Sequence, residues 1–166
     1  MTARPAQLAE ALAYFKAASV QISRPQEIVL GADTIVAGRG GIFGKPRDEA
    51  DARKILSELS DTRHMVTTGL ALLLPATSAR GCQGTDRMLA SETTYVTMRR
   101  ITQDEMDTYL ASGEWRDKAG AYAIQETADA FVSKVEGSFS NVVGLPMELL
   151  DRLLAQAGRW LAKSDG

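Results

Sequence analysis

A carboxylate and a hydroxyl side by side in an apolar strand are the first residues of this sequence that could do chemistry. In VLGADTIV, Asp33 and Thr34 separate Val29–Leu30 from Ile35–Val36. A carboxylate there must be hydrogen-bonded, paired with a cation or facing a cleft, because an unpaired buried charge is costly. Periodicity alone leaves two accounts open: an aspartate that ties down a neighbouring turn, or one that serves as a catalytic or metal-binding group. Lys45 poses the same choice. It stands in GRGGIFGKPRD between Gly44 and Pro46, and the proline limits backbone freedom and helps fix where the amine points. The segment is not a Walker loop, since Arg39 takes the place of the first glycine and Pro46 that of the Mg²⁺-binding Ser or Thr. Pro46 also has no N–H for a cradle of backbone amides. Lys45 is then either a solvated loop lysine or a point charge for a phosphate.

Three further segments carry polar groups of interest. EWRDKAGAYAIQE (114–126) sets Asp117, Lys118 and Gln125 among small and aromatic residues, the pattern of a loop folded tightly against something. A glutamine offers both a donor and an acceptor, which suits the edge of a base, although it serves equally well to satisfy nearby backbone. Lys16 ends the apolar stripe of the first helix, where the macrodipole alone would favour it. GSFSNVVGLP (137–146) reads as a loop entering a helix. The single histidine, His64, excludes a multi-histidine metal site and leaves a Cys–His or Ser–His–Asp catalyst without support. The one cysteine, Cys82, lies in a polar, glycine-rich stretch and reads as an idle surface thiol.

These groups must be positioned by a chain of 166 residues, which suits one domain able to bury roughly 70% of its unfolded surface. Hydrophobic residues make up 45% and charged residues 24%, ordinary values for a soluble globular protein. A net charge of −2 gives no basic surplus for a nucleic acid polymer. No apolar run reaches the roughly 18 residues of a membrane span and no signal peptide opens the sequence, so a cytoplasmic location is expected.

Spacing predicts a helix over 5–19 with Leu8, Leu12 and Phe15 on its apolar face, and a strand over 27–38 buried on both sides near Ile28–Leu30. Asp48 should cap a helix carrying Ala52, Ile55, Leu56 and Leu59, with Glu49 and Arg53 paired on its outer side. MVTTGLALLL (65–74) is expected as a buried strand and SETTYVTMRRI (91–101) as one with a wet face, joined by a polar loop. Thr102 and Glu105 form a capping box for a short helix stopped near Gly113. AFVSKV (130–135) should be a short strand. A last helix begins near Pro146, carries Leu149, Leu150, Leu153 and Leu154, and ends at Gly158. Strands and helices in this order indicate one α/β domain around a mostly β centre.

VLGADTIV, GIFGKPRDEADARKILSELSDTRHMVTTGLAL, GEWRDKAGAYAIQ and GSFSNVVGLP, in this order, resemble segments of the Maf family of nucleotide pyrophosphatases. The resemblance spans roughly residues 8–155 and is far more specific than any lone motif. It implies a fold like that of inosine triphosphate pyrophosphatases, with a mixed central sheet flanked by helices and a cleft between two lobes. It also implies Mg²⁺- or Mn²⁺-dependent hydrolysis of a nucleoside triphosphate to the monophosphate and pyrophosphate. On this likeness Asp33 matches the proton acceptor, with metal binding as its other role. Lys16 and Lys45 match phosphate-facing lysines, and Lys118 opens the element KAGAY as a ligand contact. Thr34 and Gln125 match positions linked to base selection, and the form KAGAYAIQ is similar to the branch acting on dTTP and UTP. Homodimers occur in the family.

Two departures accompany the resemblance. Members usually begin with a strand ending in a Ser-x-Ser-Pro-Arg-Arg-like loop, followed by an acidic residue. The sequence has neither, so 1–166 is expected to form a single Maf-like domain shortened at its N-terminus. Glu126 stands where glycine commonly follows the glutamine, which places a carboxylate beside the expected base pocket. A second function class stays open beside the enzyme: a catalytically weak nucleotide-binding or regulatory protein, in keeping with the family's association with cell division.

Overall fold

Polar residues at fixed places cut the chain into its elements. The computed structural model describes residues 4–75 and 87–162. Helix α1 (Pro5–Gln21) opens on a proline, whose missing N–H costs nothing in a first turn. Helix α2 (Glu49–Leu59) starts where the Asp51 N–H donates to the Asp48 side chain at 2.8 Å. Helix α3 (Gln103–Ser112) has the expected capping box of Thr102 and Glu105, and Gly113 ends it in the left-handed conformation at φ 75°. Helices α4 (Phe139–Val143) and α5 (Met147–Ala162) follow; the Leu150 N–H donates to the Pro146 carbonyl as α5 begins.

The strands are β1 (Val29–Gly38), β2 (Gly41–Phe43), β3 (Arg63–Leu73), β4 (Arg87–Met98) and β5 (Val132–Glu136). They form one sheet in the order β2-β1-β3-β4-β5. This is the helix-flanked α/β architecture expected from the sequence, and every pairing among the described residues is antiparallel. β3 is the central strand and is buried along nearly its whole length, as its apolar run predicts. β1 pairs with β3 from Val29 to Ala37, but with β2 only from Val36 to Gly38. Residues 29–35 therefore keep a free edge on their other side among the described residues.

Two layers cover the sheet. On one face α1 lies across β1 and β3 through Ala9, Ala13 and Ala17, each at most 1% exposed. That differs from the expected stripe: Leu12 is 38% exposed and Phe15 is 65% exposed. The reason is steric. A Cβ at Gly31 would stand 2.9 Å from the Ala17 Cβ, and one at Gly69 would stand 2.5 Å from the Ala9 carbonyl oxygen. The sheet presents glycine to the helix, so only the alanine face approaches closely enough to pack. The other face carries the main core of α2, α3 and the segment 115–131, where Leu56, Val96, Met98 and Tyr109 are fully buried, and a smaller cluster around Leu70 under α5.

Other expectations need adjustment. Ile28 and Leu30 are partly exposed, because the start of β1 has no neighbouring strand beyond its free edge. Leu154 is exposed, and α5 runs through Gly158 to Ala162 with Ala157 in the stripe instead. Glu49 reaches Arg53 only at 3.9 Å, while Arg53 makes its close pair with Asp107 at 2.6 Å. Cys82 and most of the polar connection after Leu74 lie outside the described residues. No helix among the described residues is long and apolar enough to cross a membrane.

Candidate active site

The free edge of β1 makes a site out of two consecutive residues. Successive side chains on a strand point to opposite faces, so Asp33 faces the α1 side with its partner Gly69, and Thr34 faces the other side with Thr68. With no strand covering that edge, one cavity of about 290 Å³ reaches both of them. Lys16, Lys45, Lys118 and Gln125 line the same cavity. All six residues singled out from the sequence thus come together from four separated segments.

Each is delivered by its own local structure. The close contact of α1 with Gly31 and Gly69 carries Lys16 over β1, where its Nζ pairs with the Asp33 carboxylate and donates to the Ala32 carbonyl at 3.4 Å. The Asp33 side chain is 17% exposed against 59% for Lys16, so the carboxylate sits on the floor of the cleft and the amine at its mouth. Lys45 follows β2 in an exposed turn, and the carbonyl of Gly44 accepts from the Gly120 N–H at 3.1 Å. That bond clips the lysine turn to the segment carrying Lys118.

The segment 115–126 is the tightly folded loop its composition suggests. Gly120 has φ 73°, and a Cβ there would lie 2.9 Å from the Val36 side chain, so the turn rests directly on β1. Trp115 is buried and its Nε1 donates to the Leu110 carbonyl at 3.0 Å. The Tyr109 hydroxyl donates to the Ala121 carbonyl at 3.2 Å. Glu114 accepts from both the N–H and the hydroxyl of Thr127, which closes the loop at its base. Tyr122, a wall of the cavity, hydrogen-bonds His64 Nε2 at 2.8 Å. Burial pushes the His64 imidazole down to about 4 and holds the Tyr122 hydroxyl well above its ordinary value. Both groups are neutral at pH 7, and His64 serves as a support beneath the site.

Three carboxylates line the cavity, and each is matched with a lysine that lines it too. Lys16 pairs with Asp33, Lys118 with Glu126 at 3.0 Å and Lys45 with Asp117 at 3.8 Å. The last pair is long and largely exposed, so its contribution is small. The cleft therefore holds three movable positive charges whose present partners are single carboxylates. A polyanion with several oxygens could take those partners' places.

Sequence reasoning passed over several residues that build this site. Thr68, Thr94 and Asn141 are fully buried and bonded to one another behind Thr34, and Tyr122, hydrogen-bonded to His64, also lines the cavity. The Thr-Thr pair inside MVTTGLALLL was the available signal, a polar interruption as unusual as the one at Asp33.

Comparison with known proteins agrees with the geometry. A family model described as Maf-like protein matches residues 1–157. A dTTP/UTP pyrophosphatase of Symbiobacterium thermophilum is 41% identical over 154 residues, covering 93% of this chain and 75% of that protein. One from Anaeromyxobacter dehalogenans is 49% identical over 134 residues, covering 81% of this chain and 66% of the relative. One from Deinococcus radiodurans is 40% identical over 154 residues, 93% of this chain and 74% of the relative. The chain thus spans about two thirds to three quarters of the length of these relatives. Matched along nearly its whole length by the family model, and with the family's segments gathered around one cleft, the chain belongs to the Maf family.

Proposed function

We propose that this protein hydrolyses nucleoside triphosphates to the monophosphate and pyrophosphate, with dTTP and UTP as its substrates. The observation that carries the reading is the convergence of Lys16, Asp33, Thr34, Lys45, Lys118 and Gln125 on one cavity. The names of the relatives support the choice of pyrimidine substrates.

In this mechanism the triphosphate exchanges carboxylate partners for phosphate oxygens. Lys16 and Lys45 turn to the phosphates, and Asp33 is released from its pairing with Lys16. Asp33 then accepts a proton from a water whose oxygen attacks the α-phosphorus. The bond from that phosphorus to the bridging oxygen breaks, and pyrophosphate leaves with its charge held by the lysines. Thr34 and Gln125 meet the base.

A divalent cation, Mg²⁺ or Mn²⁺, fits this arrangement in one particular way. Among the described residues no three histidine, cysteine or acidic side chains stand close enough together to hold an ion between them. Mg²⁺ commonly binds through one or two carboxylates together with waters and substrate phosphates, and Asp33 offers such a carboxylate at the cleft floor. When bound, the ion would neutralise phosphate charge as a Lewis acid.

Pyrophosphate release measured over a nucleotide panel with Mg²⁺ tests the reading. Turnover of dTTP and UTP is expected, falling by about a hundredfold or more in Asp33→Asn. Unchanged turnover in that variant removes Asp33 from the mechanism, and calorimetric affinity without any hydrolysis replaces the enzyme with a nucleotide-binding protein.

A further inference from the structure

Behind Thr34, on the sheet face away from α1, runs a buried network whose protons have only one consistent arrangement. The Asn141 side-chain amide donates to the Val66 carbonyl and to Thr94 Oγ1, both at 3.0 Å, and its Oδ1 accepts from the Thr68 N–H at 3.2 Å. Thr94 Oγ1 passes its own proton to the Ser138 carbonyl at 2.9 Å. Thr68 Oγ1 donates to the Asn141 carbonyl at 3.0 Å and lies 2.9 Å from Thr34 Oγ1. A hydroxyl owns one proton and two lone pairs. Since the Thr68 proton is already given to Asn141, the proton between the two threonines must come from Thr34. The Thr34 hydroxyl, with Thr68 as its partner among the described residues, turns its O–H inward and shows the cavity lone pairs only. Gly144, at φ 114°, has no side chain to lie against that oxygen, whereas a Cβ there would touch it at 3.4 Å.

We propose that Thr68 is a positioning residue for base selection: it locks Thr34 as a hydrogen-bond acceptor, so that the cavity favours a pyrimidine carrying a ring N–H. Uracil and thymine present such an imide N–H, whereas cytosine presents a lone pair at the same ring atom. The inference rests on the nucleotide reading above for the class of ligand. A purely structural Thr68, which only staples α4 to the sheet, is the rival account. It leaves the direction of the protons without consequence, because Asn141 holds α4 through three other hydrogen bonds that need no Thr68 hydroxyl.

Calorimetric binding of UMP, CMP and N3-methyl-UMP to the wild-type chain, Thr68→Val and Thr68→Ser separates the two. Binding is chosen over turnover so that a chain which binds without hydrolysing counts against the proposed reaction and not against this inference. The wild type should prefer UMP over both other nucleotides by about tenfold, the worth of one hydrogen bond. In Thr68→Val the Thr34 proton is free to turn into the cavity and donate to cytosine, so most of the preference for UMP over CMP should vanish. Thr68→Ser keeps the hydroxyl and should keep the preference. The inference is overturned if Thr68→Val retains the preference, if Thr68→Ser loses it as fully, if the wild type binds N3-methyl-UMP as well as UMP, or if it binds none of the three.

Discussion

Replacing Gly69 by alanine sets two effects of opposite sign against each other, and the structure says which prevails. Glycine inside a strand is unfavourable, and Gly→Ala at a tolerant site stabilises by about 0.4–1 kcal/mol through the unfolded chain. At Gly69, however, the new Cβ would stand 2.5 Å from the Ala9 carbonyl oxygen and closer still to its carbonyl carbon. Those atoms are helix backbone and cannot rotate away. To restore a normal separation α1 must withdraw by roughly 1 Å, against a contact distance of about 3.5 Å. Ala9, Ala13 and Ala17 would leave a packed face, and overpacking of that kind costs about 1–3 kcal/mol. The net expectation is a loss of about 1–2 kcal/mol, or a melting temperature lower by roughly 2–8 °C. Gly158→Ala is the control: nothing lies within 4 Å of a Cβ there, so alanine in this helix interior should raise stability by about 0.5–1 kcal/mol. Urea unfolding of the two variants beside the wild type reads both signs. A Gly69→Ala protein as stable as the wild type, or more so, would refute the claim that glycine is what seats α1. Because α1 carries Lys16, the same variant should also bind triphosphate more weakly.

Three further outcomes follow from the site. His64 sits at about 4 in the folded protein and near 6.5 in the unfolded chain, so between those values the unfolded state holds more protons and stability falls as pH drops. At about 1.4 kcal/mol per pH unit the loss approaches roughly 3 kcal/mol by pH 4, seen as a falling urea midpoint; the same slope in His64→Gln would assign it elsewhere. Glu126→Gln frees Lys118 from its 3.0 Å partner and should tighten pyrophosphate binding by about two- to fivefold, with a steeper salt dependence. Weaker or unchanged affinity would make that carboxylate a ligand group rather than a competitor. Lys45→Met should weaken triphosphate more than nucleoside in calorimetry; equal weakening would place the amine away from the phosphates.

Local sequence draws attention to the residues gathered in the cleft but leaves each with a structural account, and only the family-like segments taken in order join them. Asp33 stands out against an apolar strand, Lys45 is framed by Gly44 and Pro46, and the string around Lys118 and Gln125 cannot be mistaken for a helix or strand. Capping at Asp48 and Thr102 was legible for a simpler reason: each side chain bonds a backbone group three residues on. The face of α1 was not. Leu8, Leu12 and Phe15 form the more apolar stripe in the sequence, and only the glycines at 31 and 69, brought beneath the helix by strand pairing, reverse the choice. The hydroxyl network was hidden in the same way, since Asn141 meets Thr68 across 73 residues of chain. A lone glycine is an uncertain stop: Gly113 ends α3 in the left-handed conformation, whereas Gly158 has no packing reason to interrupt α5.

In the proposed reaction, cleavage and discrimination fall one letter apart, at positions 33 and 34, yet they answer to different supporting layers. Position 33 depends on the alanine helix pressed against glycines, and position 34 on a relay anchored by an asparagine on the reverse side. On that proposal, changes in the second layer should alter which base is welcomed while the apparatus for cleavage stays in register. A strand one residue out of step would exchange the two duties and lose both.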